Sequence, residues 1–236
     1  PPLGDLRWRA PRPVAPWNGV RESIKHASMC AQVYPFAWPD RLITLGDEDC
    51  LYLDVWSPRL APDEIKDTKL PVMVWIHGGA NKVGGASATR SYNIAGKENV
   101  IVVSLQYRLG LMGWFSHPAL RDTAEVPMDA TSNFAILDMV AALQWVKDNA
   151  AAFGGDPDNV TIFGQSAGAF DIYGLLAAPQ AKGLFHRAIA QSGNIQTVPQ
   201  ADAENYLDDD AAPGQPDSFR EIINKHMSLP AVAVFP

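Results

Sequence analysis

A short apolar run meets a G-x-S-x-G motif late in the chain, and a helix-forming segment follows. The run over 160–163 is β-branched and aromatic, and residues 156–159 before it have turn chemistry. The pattern predicts a sharp strand-to-helix turn with Ser166 at its tip, because Gly164 and Gly168 let the strand and the helix approach closely. The same five-residue pattern also occurs in ordinary glycine-rich turns, so the flanking sequence has to distinguish the two interpretations.

Other segments indicate the sheet to which such a turn belongs. Apolar or alternating runs predict further strands over 48–56, 70–76, 100–105 and 184–193. From Ser132 or Asn133 onward the apolar residues recur with the period of an amphipathic helix. Buried strands that alternate with helices predict an α/β fold, a doubly wound and mostly parallel sheet with its active site at the carboxyl ends of the strands.

The predicted strand over 70–76 leads into a glycine-rich segment that begins at His77. Glycines at the end of a buried strand let backbone N–H groups point into a cleft, as an oxyanion hole requires. A flexible turn is the alternative interpretation. Ala167 opens the helix after the serine, so its N–H lacks an intrahelical acceptor and is free to receive a developing oxyanion.

Composition limits the protein class. With 236 residues, 47% of them hydrophobic, the chain is long enough to bury a sizeable core, and we expect one domain over residues 1–236. A net charge of -7 argues against nucleic acid or an anionic membrane surface as the main partner. No apolar run reaches membrane-spanning length. Because the sequence opens at Pro1 without an initiator methionine or a signal peptide, the expectation is an internal segment of a longer protein.

The two cysteines, Cys30 and Cys50, leave two interpretations open. They are either unpaired thiols of a cytosolic enzyme or a disulfide. Pairing them would close a loop of about twenty residues, which the chain-entropy model values at roughly 3 kcal/mol. A disulfide would favour an oxidising compartment.

Seven blocks occur along the chain in a fixed order. They are Leu6-Arg7-Trp8-Arg9-Ala10-Pro11, Glu48-Asp49-Cys50-Leu51-Tyr52-Leu53, Trp75-Ile76-His77-Gly78-Gly79, Tyr107-Arg108-Leu109-Gly110, Ala152-Phe153-Gly154-Gly155-Asp156-Pro157, Gly164-Gln165-Ser166-Ala167-Gly168, and Gly183-Leu184-Phe185 through Gln191-Ser192-Gly193. From Pro1 to about Asn224 the chain therefore resembles the type-B carboxylesterase/lipase family of α/β-hydrolases, which includes the cholinesterases.

The resemblance implies an α/β-hydrolase fold and a serine carboxylic-ester hydrolase. In that interpretation Ser166 is the nucleophile, and the N–H groups of Gly79, Ala80 and Ala167 form the oxyanion hole. The substrate is a small-molecule ester, and neither a metal nor an organic cofactor is required. The oligomeric state is not implied.

The resemblance also implies contacts away from the serine. It implies a Cys30–Cys50 disulfide, and with it a secreted or periplasmic location, with a cytoplasmic one as the alternative. The two ion pairs that it implies are Arg7 with Glu48 and Arg108 with Asp138.

The sequence departs from the family pattern near the serine. Ala80 stands where many members have a third glycine, and its N–H donor survives if the backbone there does not demand a positive φ. Gln165 precedes the nucleophile where many relatives carry glutamate. Asp171 stands where a serine is common, and we expect its charge to raise the pKa of a nearby histidine.

A serine nucleophile needs a histidine base and an acid, and in this family both follow the serine at a distance. The sequence contains no segment with that spacing, so we expect the amino-terminal half of a larger enzyme. His226 is the alternative base, although its spacing from Ser166 is short. The alternative function is a non-catalytic, cholinesterase-like binding or adhesion scaffold, or an inactive fragment.

Overall fold

The computed structural model describes residues 2–34, 43–195, 197 and 199. The strands are β1 (Gln32–Tyr34), β2 (Ile43–Leu45), β3 (Leu53–Trp56), β4 (Leu70–Ile76), β5 (Ile101–Leu105), β6 (Gly155–Gln165) and β7 (Arg187–Gln191). The α-helices are α1 (Ser91–Glu98), α2 (Gly110–Trp114), α3 (Pro118–Asp122), α4 (Phe134–Asn149) and α5 (Ala167–Ala177). Short 3₁₀ turns cover Gly4–Leu6, Ala86–Ala88, Pro127–Ala130, Ala150–Phe153 and Pro179–Ala181.

Five of these strands form one sheet in the order β3-β5-β4-β6-β7. β3 is antiparallel to β5, whereas β5, β4, β6 and β7 are parallel to one another. β1 and β2 form a separate antiparallel ribbon. The mostly parallel α/β sheet predicted from the sequence is confirmed.

The strand order also places the helices. From β4 the chain steps one way to β5, then back across β4 to β6 and onward to β7. Because parallel crossovers are right-handed, α1 covers one face of the sheet, whereas α4 and α5 cover the other and contact each other. The direction of winding reverses at β4, and ligands bind at such a switch point beyond the carboxyl ends of the strands.

Strand β5 is buried on both faces, as its continuous apolar run predicts. In β4 and β6 buried residues alternate with partly exposed ones, so the burial predicted for both faces of 70–76 holds for one face only. Every residue of β5 is buried. Val72 and Val74 of β4 and Val160 and Ile162 of β6 are fully buried. Each such side chain stabilises the fold by about 1.5–3 kcal/mol relative to its exposed form. These strands therefore form a rigid platform for the loops at their carboxyl ends.

Two strand predictions need correction. The strand predicted over 48–56 is confined to Leu53–Trp56, because the segment before it turns: the Asp49 N–H donates to Asp47 Oδ1 at 2.8 Å and the Cys50 N–H to the Glu48 carbonyl at 2.9 Å. The turn predicted over 156–159 lies inside β6 as a bulge. Leu70 pairs with Gly155 and Val72 with Val160, and the intervening loop of backbone closes through an Asp158 N–H···Asp156 Oδ1 bond of 2.9 Å.

The remaining element predictions agree with the structure. The final strand is β7, shorter than the predicted 184–193. The amphipathic helix is α4, and Asn133 holds its N-cap position without a side-chain hydrogen bond to the helix.

Candidate active site

Ser166 connects β6 to α5 in a strained backbone conformation. Its φ of 56° and ψ of -122° belong to a region that few non-glycine residues adopt, at a cost of about 1–3 kcal/mol. The Ser166 N–H donates to the Gln191 carbonyl of the neighbouring β7 at 2.9 Å, which ties the turn to the sheet. The residue is half-buried at the carboxyl edge of the sheet. This geometry is that of a nucleophile elbow.

The two glycines of the motif are required by close backbone contact. A Cβ at Gly168 would lie 2.1 Å from the Ile76 carbonyl oxygen. A Cβ at Gly164 would lie 2.8 Å from that oxygen and from the Gly168 backbone. Strand β4, strand β6 and helix α5 therefore meet too closely at the elbow for any side chain.

The segment 77–81 lies directly beside the elbow. A Cβ at Gly78 would come within 3.3 Å of Ser166 Cβ and 2.6 Å of the Gln165 carbonyl oxygen. Gly79 has a φ of 117°, and a Cβ there would overlap the Val83 carbonyl oxygen at 1.9 Å. The segment after β4, which is predicted to supply the oxyanion donors, therefore lies next to Ser166, the predicted nucleophile.

Ala80 is left-handed, with a φ of 55°. The backbone at Ala80 therefore does require a positive φ, contrary to the condition stated for it in the sequence analysis. Alanine adopts this conformation at a cost of about 1–2 kcal/mol. The N–H is nevertheless retained. Across the described residues no acceptor bonds to the N–H groups of Gly79, Ala80 or Ala167, which leaves these groups available to a ligand.

His77 is a neutral, buried part of this loop. It is 4% exposed and stacks on the Tyr107 ring, with the two ring centroids 4.3 Å apart. Its Nδ1 lies 2.8 Å from the Gly78 carbonyl oxygen. Burial lowers the pKa of His77 to about 4. Nδ1 therefore carries the proton at neutral pH and donates it to Gly78, which agrees with the structural role predicted for this histidine.

Asp171 and Tyr107, both buried, form a polar cluster behind the loop together with the half-buried Asn81. Asn81 Nδ2 donates to Asp171 Oδ1 at 3.0 Å, and the Tyr107 hydroxyl donates to the His77 carbonyl at 2.6 Å. Burial raises the pKa of Asp171 to about 7. The predicted effect of Asp171 on a histidine stays a prediction, because the described side chains that interact with its carboxyl are Asn81 and Tyr107.

Sequence reasoning did not assign a role to Asn81, although one signal was present. Asn81 also has a φ of 55°, and asparagine tolerates left-handed backbone better than other non-glycine residues. An asparagine directly after a Gly-Gly-Ala turn was therefore a sign of a special backbone conformation. Its partner Asp171 is ninety positions away and was not predictable from spacing.

The four described histidines all take part in contacts away from Ser166. His26 bonds to Asp54, His77 to its own loop, His117 accepts from the Ala119 N–H, and His186 accepts from the Val160 N–H. None of them supplies a base to the serine in this arrangement. His226 lies outside the described residues.

The contacts that the resemblance implied away from the serine are present. A disulfide joins Cys30 and Cys50, both buried. Glu48 pairs with Arg7 at 2.5 Å. Asp138 pairs with Arg108 at 2.7 Å, deep in the core.

Within residues 2–34 and 43–195 no three His, Cys, Asp or Glu side chains converge in a way that could hold a metal ion. Among the described helices none combines the length and apolarity needed to cross a membrane.

A mostly parallel sheet covered on both faces by helices, with a serine on a strained turn beyond a central strand, defines an α/β-hydrolase. A family model described as the carboxylesterase family matches residues 1–208. The chain belongs to the carboxylesterase family.

Individual relatives agree with this assignment. Carboxylesterase 1D of Rattus norvegicus is 46% identical over 206 residues, covering 84% of this chain and 34% of that protein. Carboxylesterase 1D of Mus musculus is 45% identical over 202 residues, with 82% and 34% covered. A solved structure of PNB esterase superposes with a TM-score of 0.70 at 43% identity, covering 84% of this chain and 39% of that one. The chain thus spans about a third of the length of these curated relatives.

Proposed function

We propose that the protein to which this chain belongs is a serine carboxylic-ester hydrolase, with Ser166 as its nucleophile. The observation that carries the proposal is the placement of unbonded backbone N–H groups beside a serine on a strained elbow. Membership of the carboxylesterase family supports the same reaction class. Residues 1–236 form the amino-terminal portion of a single α/β-hydrolase domain in this proposal.

The proposed reaction proceeds through an acyl-enzyme. Ser166 Oγ attacks the ester carbonyl carbon while a base takes its proton, and the carbonyl oxygen becomes an oxyanion held by the N–H groups of Gly79, Ala80 and Ala167. Collapse of this intermediate expels the alcohol, which receives the proton. Water then attacks the acyl carbon, and a second collapse releases the acid and restores Ser166.

The base and its orienting acid come from outside the described residues, since the described histidines have other partners. A histidine paired with a carboxylate is the arrangement that this chemistry needs. No step in the scheme calls for a metal or an organic cofactor.

The substrate class that we propose is a small-molecule ester. The names of the matched relatives, carboxylesterase and PNB esterase, support esters as substrates. They also disfavour the alternative of a non-catalytic adhesion scaffold, because the matched relatives named here are enzymes.

The test is hydrolysis of a p-nitrophenyl ester by the full-length protein and two alanine variants. Ser166→Ala should reduce kcat by at least about 10⁴-fold, because the nucleophile is lost. Ser192→Ala is the matched control, since Ser192 also has a φ of 56° and follows the neighbouring strand β7. It should keep wild-type activity. An active Ser166→Ala variant would contradict the proposal.

We further propose a secreted or periplasmic location, which the Cys30–Cys50 disulfide supports. Protein isolated from its native source should resist thiol alkylation until it is reduced, and both cysteines should then react. Alkylation of either cysteine before reduction would favour the cytoplasmic alternative.

A further inference from the structure

The buried cluster behind the segment 77–81 contains more acceptors than donated protons. The Tyr107 hydroxyl carries one proton but has two oxygens within reach, the His77 carbonyl at 2.6 Å and Asn81 Oδ1 at 3.2 Å. The shorter contact takes the proton, so Asn81 Oδ1 faces a lone pair. Within the described part of the chain Asp171 Oδ2 is buried without a hydrogen-bond partner. A buried acceptor without a donor is unfavourable, and it is more so when it belongs to a charged carboxylate.

One rearrangement gives Asn81 Oδ1 a donor and leaves Asp171 Oδ2 as an oxygen of an uncharged carboxyl group. The oxygen and nitrogen of the Asn81 amide can be exchanged without moving the side chain, because the two atoms occupy sites of nearly the same shape. Asn81 Nδ2 then donates to the Tyr107 oxygen, and Asn81 Oδ1 accepts a proton from the Asp171 carboxyl. A single chain of donors then runs from Asp171 through Asn81 and Tyr107 to the His77 carbonyl. This chain requires Asp171 to be protonated.

The electrostatic surroundings favour the protonated form. Asp171 is 2% exposed, and burial raises its pKa to about 7 against the opposing effect of hydrogen bonding to Asn81 and Tyr107. The other titratable side chains of the cluster are Tyr107 and His77. Burial raises the pKa of Tyr107 and lowers that of His77 to about 4, so both are neutral near pH 7 and neither supplies a cation to stabilise a carboxylate.

The cluster links the two halves of the proposed site. Asp171 lies on α5, the helix that starts directly after Ser166, whereas Asn81 is adjacent to Ala80 in the loop. We propose that Asp171, as a neutral acid, is a positioning residue that acts through Asn81 to hold the Gly79 and Ala80 N–H groups in register with Ser166. This inference rests on the proposed esterase function.

The experiment measures kcat and KM of the full-length protein for a p-nitrophenyl ester between pH 6 and 8. Asp171→Ala and Asn81→Gly should each lower kcat by about 10–100-fold with KM nearly unchanged, because misplaced donors weaken an interaction made in the transition state. Glycine at 81 avoids backbone strain at φ 55°. The double variant should be no worse than the poorer single variant, since both changes break the same link.

Asp171→Asn separates the neutral acid from the carboxylate. Its amide donates to Asn81 as a protonated carboxyl does, so this variant should keep kcat at pH 6. The ratio of its kcat to that of the wild type should rise between pH 6 and 8, because the wild-type carboxyl ionises over that range. A flat ratio, or a loss as large as that of Asp171→Ala, would overturn the inference.

A control variant removes a buried hydrogen bond elsewhere. Ser91→Ala breaks the 2.7 Å contact between the Ser91 and Ser104 hydroxyl groups and should leave kcat unchanged. An equal loss of kcat in Ser91→Ala would show general loosening and contradict a positioning role. If Asp171→Ala does not fold, Asn81→Gly and Asp171→Asn decide the question. Activity that depends on Ser166 but survives Asn81→Gly contradicts the positioning role alone, whereas activity independent of Ser166 contradicts the proposed function.

Discussion

The elbow at Ser166 and the loop over 77–81 both hold left-handed backbone, but they hold it by different means. At the elbow the constraint is steric, because Gly164 and Gly168 bring three elements too close together for a side chain. In the loop Gly79 is under a similar steric constraint, but a side chain also takes part, as Asn81 connects the turn to a helix ninety positions further along the sequence. The proposed nucleophile is thus held by close packing of backbone, whereas its proposed oxyanion donors are held by backbone packing together with a side-chain contact. The two regions should therefore respond to substitution in different ways.

The largest expected effect is at the elbow. Gly168→Ala places a Cβ against the Ile76 carbonyl oxygen and should lower the free energy of unfolding by more than about 4 kcal/mol, because backbone has to move. Thermal or urea unfolding of the full-length protein measures the change. Gly96→Ala in α1 is the matched control, with no atom within 4 Å of the added Cβ, and should stabilise by about 1 kcal/mol. Similar midpoints for the two variants would contradict a steric role for the elbow glycine.

The next effect is at the loop and depends on pH. The pKa of Asp171 is raised in the folded state from 3.8 to about 7, so its protonation stabilises the fold at low pH, and that stabilisation is lost as the pH rises towards 7. Asp171→Asn cannot ionise. Its stability relative to the wild type should therefore rise between pH 4 and 7, by up to about 4 kcal/mol, and level off above that range.

Unfolding midpoints of the wild type and Asp171→Asn at pH 5 and pH 8 measure this difference. The buried His77, whose pKa is lowered, loses its stabilising contribution as the pH falls below about 6.5, but it is common to both proteins and cancels. A stability difference that does not change with pH would show that the Asp171 carboxyl is not buried as a neutral acid.

The smallest effect concerns Ala80. Glycine at this position relieves a left-handed alanine, so Ala80→Gly should raise the free energy of unfolding by about 1 kcal/mol while kcat stays unchanged. The N–H donor is the same in both residues. A destabilised or inactive Ala80→Gly variant would mean that the alanine side chain itself holds the loop.

Sequence alone predicted the features that local chemistry determines. The strands β4 and β5, the elbow turn and helix α5 follow from short patterns of apolar residues and glycine. The residues alone do not decide whether Cys30 and Cys50 pair, and only the family resemblance implies the disulfide. The structure contains this disulfide.

Features that depend on distant contacts were not predictable in the same way. The bulge in β6 arises from its register with β4, and nothing in residues 156–159 distinguishes it from a turn between elements. The left-handed backbone of Ala80 and the Asn81–Asp171 contact depend on how the loop packs against α5. A side chain's partner ninety positions away is a property of the fold, and the sequence pattern carries no spacing signal for it.

The most direct test of the central claim is the reaction of the full-length protein with a fluorophosphonate, followed by intact-mass measurement and peptide mapping. This reagent captures a serine only when its base activates it. We expect one adduct per chain, on Ser166, and none on the Ser166→Ala variant. An unlabelled wild-type protein, or an adduct on another serine, would contradict the assignment of Ser166 as the nucleophile.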